Sequence, residues 1–199
     1  MAEPILTKRP WEAEMTKEEM RQHIREIEKG MTMEEREQSD QALWLNLFRL
    51  PEFKRATRVL LFSSFGTEPD TSEILRWSMA QGKTVALPRM SGEGTMEARK
   101  YDAHIPLIPG KYGILEPGMN HEILSKDNLD LILVPSVCYD RNGGRLGHGA
   151  GYYDRYLADF HGMTIGLCRE ILLQDEVPLA PHDIRVSIVI TEHETFRRT

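Results

Sequence analysis

The chain is poor in cysteine: Cys138 and Cys168 are the only two among 199 residues. They show no CxxC spacing and no neighbouring ligands, which argues against a disulfide scaffold and against a thiolate zinc site. Two reduced, structural thiols in a cytoplasmic protein are the expectation. Long hydrophobic runs are missing too. The apolar stretches, such as Leu131 to Val134, are a few residues long, far short of the ~20 that span a bilayer, so no membrane partner is expected. The N-terminus carries Glu3, Glu12 and Glu14 and lacks the apolar core of a secretory signal. Nor is there a surplus of positive charge. The 25 Lys and Arg stand against 31 Asp and Glu, a formal net charge of −6. That argues against a general nucleic-acid binder, though not against a small basic pocket for phosphates. What remains is ordinary for a globular chain, 40% apolar and 28% charged, with length for about one domain.

Residues 1–15 show no period and are expected to form an arm, leaving 16–199 as a single domain. Thr16 with Glu19, and Thr32 with Glu35, have the spacing of capping boxes and open two helices. Met20, Ile24 and Ile27 give the first its apolar face. Leu43, Leu47 and Leu50 give the second its stripe. Gly30 and Pro51 end them. Val59 to Phe62 reads as a buried strand. Asp70 or Thr71 caps a helix running to about Gln81, Gly82 ends it, and Thr84 to Leu87 is the next strand. Strand, helix, strand in that order implies a parallel pair with a right-handed crossover. Ser91 to Leu124 reads as short strands and loops. Asp130 to Val134 is another buried strand, followed by a glycine-rich loop over Asn142 to Gly151 and a helix from Tyr152 to about Phe160. Thr164 to Leu167 and Val186 to Ile190 complete the strands. The pattern predicts a three-layer α/β domain with a mostly parallel central sheet and helices on both faces.

Chemistry concentrates in one segment, Gly143 to Leu157. Five glycines fall within the nine positions from Gly143 to Gly151, between a strand and a helix. Glycine lets backbone N–H groups approach a ligand closely, and a helix N-terminus adds unpaired donors, so the segment reads as an anion cradle. Arg145 adds a forked, permanently charged donor for phosphate. The loop is not a GxxxxGK[ST] phosphate loop. It is not a dinucleotide fingerprint either, because Tyr152 stands where Gly or Ala is needed. Asp154 would repel phosphates unless a cation lay between them. Mg2+, which takes one or two carboxylates plus phosphate oxygens, makes it a metal candidate. The histidines are scattered; His148, inside the loop, reads as a phosphate-side donor or spacer.

The stretch NGGRLGHGAGYYDRYL closely resembles the signature of the 5-formyltetrahydrofolate cyclo-ligase family, also called 5,10-methenyltetrahydrofolate synthetases. The likeness extends through LPEF (50–53), SFGTEPDT (64–71), GKTVALPR (82–89), YGILEP (112–117), DLILVPSVCYDRNGG (130–144) and PHDIRV (181–186). The resemblance implies a three-layer α/β fold. It also implies ATP- and Mg2+-dependent closure of 5-formyltetrahydrofolate to 5,10-methenyltetrahydrofolate, with ADP and phosphate released. Carried over by position, Lys17 and Arg21 contact ATP. The nucleotide loop comprises Arg145, Leu146, Gly147, His148, Gly149, Ala150, Gly151, Tyr152 and Tyr153. Arg145 and Tyr153 stand as catalytic, Asp154 as a magnesium ligand, and Ser63, Glu68 and Tyr152 as folate contacts. The implied substrate is 5-formyltetrahydrofolate, free or polyglutamylated, handled by a cytoplasmic monomer.

The chain departs from the family where Ser187 replaces a frequent Asp, Leu172 a usual Gln and Arg169 a usual Phe. It also lacks a further Arg near Glu28. Ser187 is expected near the metal, raising the magnesium requirement. Two other functions compete. A non-catalytic folate- or nucleotide-binding paralogue would bind without turnover. A sugar-phosphate or acyl-transfer enzyme would need a base or nucleophile that the sequence does not offer.

Overall fold

The computed structural model describes residues 15–110 and 113–198; the expected arm, Met15 apart, lies outside them. Both capping boxes form. Thr16 Oγ1 accepts from Glu19 N at 3.3 Å and the Glu19 carboxylate accepts from Thr16 N at 2.8 Å, opening α1 (Lys17–Gly30). Thr32 and Glu35 repeat the arrangement at the head of α2 (Met33–Arg49). Pro51 does more than stop α2. It takes the first position of a short helix, α3 (Pro51–Arg55), where its missing N–H leaves nothing unpaired. The buried Lys83 ammonium closes α3 by donating to the carbonyls of Phe53 (2.9 Å), Lys54 (3.1 Å) and Ala56.

The strands are β1 (Arg58–Leu60), β2 (Thr84–Gly92), β3 (Thr95–Lys100), β4 (Ile108–Pro109), β5 (Leu115–Glu116), β6 (Leu131–Val134), β7 (Cys138–Tyr139), β8 (Arg145–Leu146), β9 (Met163–Leu167), β10 (Ile188–Ile190) and β11 (Thr195–Arg197). Helix α4 (Ser72–Ala80) joins β1 to β2, and α5 (Tyr152–Leu157) precedes β9. Seven strands form the central sheet in the order β11-β10-β9-β6-β1-β2-β3. The five inner ones are parallel, and β3 and β11 add antiparallel edges. Successive strand residues point to opposite faces. Leu131 and Leu133 therefore pack with Leu43, Leu47, Phe53 and Ile74 of α2, α3 and α4, while Ile132 and Val134 pack with Met20, Ile24 and Leu157 of α1 and α5. Two helical layers thus enclose one sheet.

Three local features differ from the sequence reading. First, β2 runs on to Gly92 and returns as β3 through Gly94, whose φ of 71° suits glycine. Second, the glycine segment contains a hairpin, β7 with β8, turned by Asp140, whose carboxylate accepts from the N–H groups of Asn142 and Gly144, both at 2.8 Å. Gly143 and Gly144 therefore serve this turn; a Cβ on Gly143 would strike the Val186 carbonyl. Third, α5 ends at Leu157, where Lys126 donates to the Tyr156 carbonyl at 3.2 Å and pairs with Asp159.

Asp130 stitches β6 to β1. One carboxylate oxygen accepts from Thr57 N (2.7 Å), Thr57 Oγ1 (2.7 Å) and Arg58 N (2.8 Å). Partial burial alone would raise its pKa, but these hydrogen bonds overcome it and hold the carboxyl below its usual range. A depressed folded-state pKa contributes stability that is fully present above the unfolded value, about 4, and is lost as pH falls through the folded value. Asp130→Asn is therefore expected to lower the urea midpoint at pH 7. The gap to wild type should close in acid, below the usual carboxylate range. An equal gap at all pH values would remove this role.

Candidate active site

The carboxyl ends of β1, β2 and β6 open onto a cavity of about 570 Å³, the usual place and size for a ligand site in an open parallel sheet. The loop after β1 brings Ser63 and Glu68 to its wall. Helix α1 brings Lys17 and Arg21, and the segment after β8 brings Arg145 through Asp154. The residues assigned from the sequence to nucleotide, folate and metal contacts, Lys17, Arg21, Ser63, Glu68 and Arg145 through Asp154, thus line one cavity. Phe62, Phe65, Pro88, Met90, Ile114 and Leu115 supply an apolar wall, and Glu116, His182 and Asp183 are additional polar groups.

The loop itself is narrower than the glycine run suggested. Among the described residues, the N–H groups of Gly147, His148, Gly149, Ala150 and Gly151 find no acceptor. Gly149 has φ 101°, and Gly151, at φ 68°, starts α5. Because α5 has six residues, its dipole is small, and the unclaimed amides of the loop are the main donors that could hold an anion.

The cations do not stand open. Lys17 pairs with Asp183, whose other bond comes from Ala180 N at 2.5 Å. Arg21 donates Nε to the Gly147 carbonyl at 2.9 Å and Nη1 to Glu18 at 3.1 Å. Arg145 is 5% exposed. Its Nη2 donates to Asp154 Oδ1 at 2.6 Å and its Nε to the Ile184 carbonyl at 3.2 Å. The same Asp154 oxygen accepts from Ile184 N at 3.0 Å. Asp183, next in the chain to Ile184, is thereby drawn to the Asp154 side of the cavity.

On the wall formed by the loop after β1, Glu68 Oε2 accepts from Phe65 N at 2.9 Å, and Oε1 lies 3.1 Å from His148 Nε2. The loop histidine thus meets the carboxylate rather than standing apart from it. Tyr153 presents a buried hydroxyl with no partner among the described residues. Burial first, then the Glu68 charge, pushes its pKa far above the ordinary value, so it stays a neutral donor. Glu116 is buried, accepts from Met90 N at 3.3 Å, and has its pKa raised by burial.

The profile of the 5-formyltetrahydrofolate cyclo-ligase family matches residues 13–192. The chain belongs to that family. A probable 5-formyltetrahydrofolate cyclo-ligase of Schizosaccharomyces pombe is 30% identical over 165 residues, covering 74% of this chain and 81% of that protein. The 5-formyltetrahydrofolate cyclo-ligase of Escherichia coli K12 is 29% identical, over 87% of this chain and 98% of its own. The NMR structure of Aquifex aeolicus 5,10-methenyltetrahydrofolate synthetase superposes with a TM-score of 0.82 at 30% identity, covering 91% and 92% of the two chains.

The departures from the family pattern lie off the cavity. Ser187 precedes β10 at the amino ends of the strands, where its N–H donates to Thr164 Oγ1 at 2.8 Å. The expectation that it stands near a metal is therefore corrected: the cavity is at the opposite ends of the strands. Leu172 is buried core. Arg169, 2% exposed, donates to Asp40 Oδ1 at 2.7 Å, a pair that ties β9 to α2. Asp183 and Glu116 are the residues that sequence reasoning missed. Both sit inside stretches that resemble the family, PHDIRV and YGILEP, and that resemblance was their one available signal.

Proposed function

We propose that this protein uses ATP and Mg2+ to convert 5-formyltetrahydrofolate into 5,10-methenyltetrahydrofolate, releasing ADP and phosphate. One observation carries the reading. A single cavity combines five unclaimed loop amides and two lysine and arginine side chains of α1 with a carboxylate, Glu68, beside an apolar wall. The first set suits a polyphosphate. The second suits a flat, N–H-rich pterin ring, with Glu68 accepting from the ring and Phe65 and Met90 against its faces.

A formamide oxygen is a poor leaving group. Transfer of the γ-phosphoryl group to it converts it to phosphate. N10 then attacks the formyl carbon, the new C–N bond closes the ring, and the C–O bond breaks with loss of phosphate and of the N10 proton. The protein's part is alignment and charge neutralisation. Lys17 and Arg21 meet phosphate oxygens. Tyr153, neutral and unpartnered, donates to an oxygen that gains charge. Arg145 holds Asp154 in place. The donor set fits Mg2+: Asp154 Oδ2 carries no hydrogen bond from described residues, and Asp183 lines the same cavity. No group of three or more metal-ligating side chains occurs among the described residues, and Mg2+ shared with a polyphosphate requires none. Bound there, the ion would neutralise phosphate charge.

The test is direct. Protein, 5-formyltetrahydrofolate and MgATP are mixed and the near-ultraviolet absorbance of the methenyl product is followed, with ATP or magnesium omitted as controls. Binding of both ligands without product would instead favour a non-catalytic paralogue. Glu68→Gln is expected to raise the KM for folate tenfold or more, as loss of a charged hydrogen bond worth roughly 1.5–3 kcal/mol implies. The KM for ATP should stay unchanged. A normal folate dependence would leave Glu68 as a loop acid that serves Phe65 alone.

A further inference from the structure

We propose that Arg155 is a positioning residue that sets the direction of the loop amides by tying the loop to the β2–β3 hairpin. Its Nη2 donates to the Ala150 carbonyl at 2.5 Å, and its Nε donates to the Gly94 carbonyl at 2.6 Å. The guanidinium also lies 5.8 Å from the centre of the Tyr152 ring. Glycine is required on both sides of this contact. Gly94 and Gly151 have φ of 71° and 68°. A Cβ on Gly94 would run into the guanidinium, and one on Gly151 would fall 2.9 Å from Nη1.

The consequence follows from the planar trans peptide, in which C=O and the next N–H point in opposite directions. Arg155 is exposed and is absent from the cavity wall, whereas Ala150 and Gly151 are on it. Holding the Ala150 carbonyl toward Arg155 therefore turns the Gly151 N–H toward the cavity. At the other end of the loop, the hold of Arg21 on the Gly147 carbonyl fixes the direction of the His148 N–H. Between Gly147 and Ala150 the loop has no other backbone hydrogen bond among the described residues. The hairpin at the far end of the tether also carries Met90 of the apolar wall, so loop and wall are held in one frame.

This role rests on the reading of the loop as the nucleotide cradle. The test uses Arg155→Ala, Arg155→Lys and Gly94→Ala in the full chain. Two measurements are made: ATP and folate kinetics, and hydrogen exchange over residues 91–96 and 145–153. Arg155→Ala is expected to raise the KM for ATP about tenfold, the scale set by a misplaced binding group, with a smaller fall in kcat. Exchange should quicken in both segments together while Tm hardly moves, because Arg155 is exposed. Arg155→Lys, with one ammonium for two carbonyls, should recover part of the KM. Gly94→Ala, which displaces the guanidinium without removing it, should reproduce the defect. An unchanged KM for ATP in Arg155→Ala overturns the proposal, whether or not exchange quickens. If the wild type makes no methenyl product, the functional reading fails on its own. MgATP affinity by calorimetry then decides the role of Arg155, with a weakening of about tenfold supporting it and no change overturning it.

Discussion

Arg145→Ala is expected to lower stability by about 3 kcal/mol and to reduce product formation by about 100-fold or more. The stability term comes from burial. The side chain of Arg145 is 3% exposed and that of its partner Asp154 18% exposed. Removing the guanidinium leaves Asp154 with the Ile184 N–H as its one remaining hydrogen bond among the described residues. A carboxylate stranded in this way is far more costly than a lost surface pair. The activity term follows because the same carboxylate is the metal candidate, and without Arg145 only the Ile184 N–H is left to orient it. Urea unfolding with an unchanged m-value would separate lost stability from altered unfolding behaviour. Arg145→Lys should rescue little, since an ammonium cannot span both Asp154 and the Ile184 carbonyl with a planar fork. A stable, fully active Arg145→Ala protein would contradict both roles.

Gly149→Val should reduce turnover by about 100-fold or more, the scale seen when a backbone donor is taken from a developing charge. Space is not the reason. A Cβ on Gly149 would meet only Arg21 Nη2 at 3.6 Å, an ordinary contact. The obstacle is φ of 101°, which a β-branched residue does not tolerate. The loop would have to change its dihedrals, and with them the directions of its N–H groups. Because Gly149 is exposed and the loop has few other bonds, the fold should lose only about 1–3 kcal/mol, the range for local backbone strain. Circular dichroism and a melting curve would show a folded protein, while ATP and folate titrations would show the lost turnover. Normal turnover would place the phosphates elsewhere.

Much of this architecture could be read locally. Thr16 with Glu19, and Thr32 with Glu35, announce helix starts because a capping box is complete within four residues. Leu131 to Val134 reads as a strand because both faces of it are buried. Strand β3 falls within the stretch read as short strands and loops, but its bounds were not legible because Thr95 to Lys100 is rich in helix formers. It is held extended by pairing with β2, and Arg99 is buried because Glu97 and the carbonyls of Met119 and His121 receive it. The membership of the cavity was legible from the glycine loop and its resemblance to a family, but the pairings inside it were not. Lys17 and Asp183 are 166 residues apart, and the burial of Arg145 depends on a hairpin turned by Asp140. Such contacts exist only once the chain is folded, and they decide whether a charge is available or already spoken for.

The cations that line the cavity are each matched with a carboxylate or a carbonyl before any ligand arrives. An incoming polyanion therefore meets a nearly balanced field instead of a positive funnel. Under the proposed function, free phosphate or uncomplexed nucleotide gains little from Lys17 unless Asp183 receives a positive charge in exchange. A ligand that brings its own divalent counter-charge can release the lysine and satisfy Asp183 in the same event, while Arg145 keeps its hold on Asp154 Oδ1 and leaves Oδ2 to the ion. Such an exchange of partners would favour a metal-loaded nucleotide over the many smaller anions that compete with it.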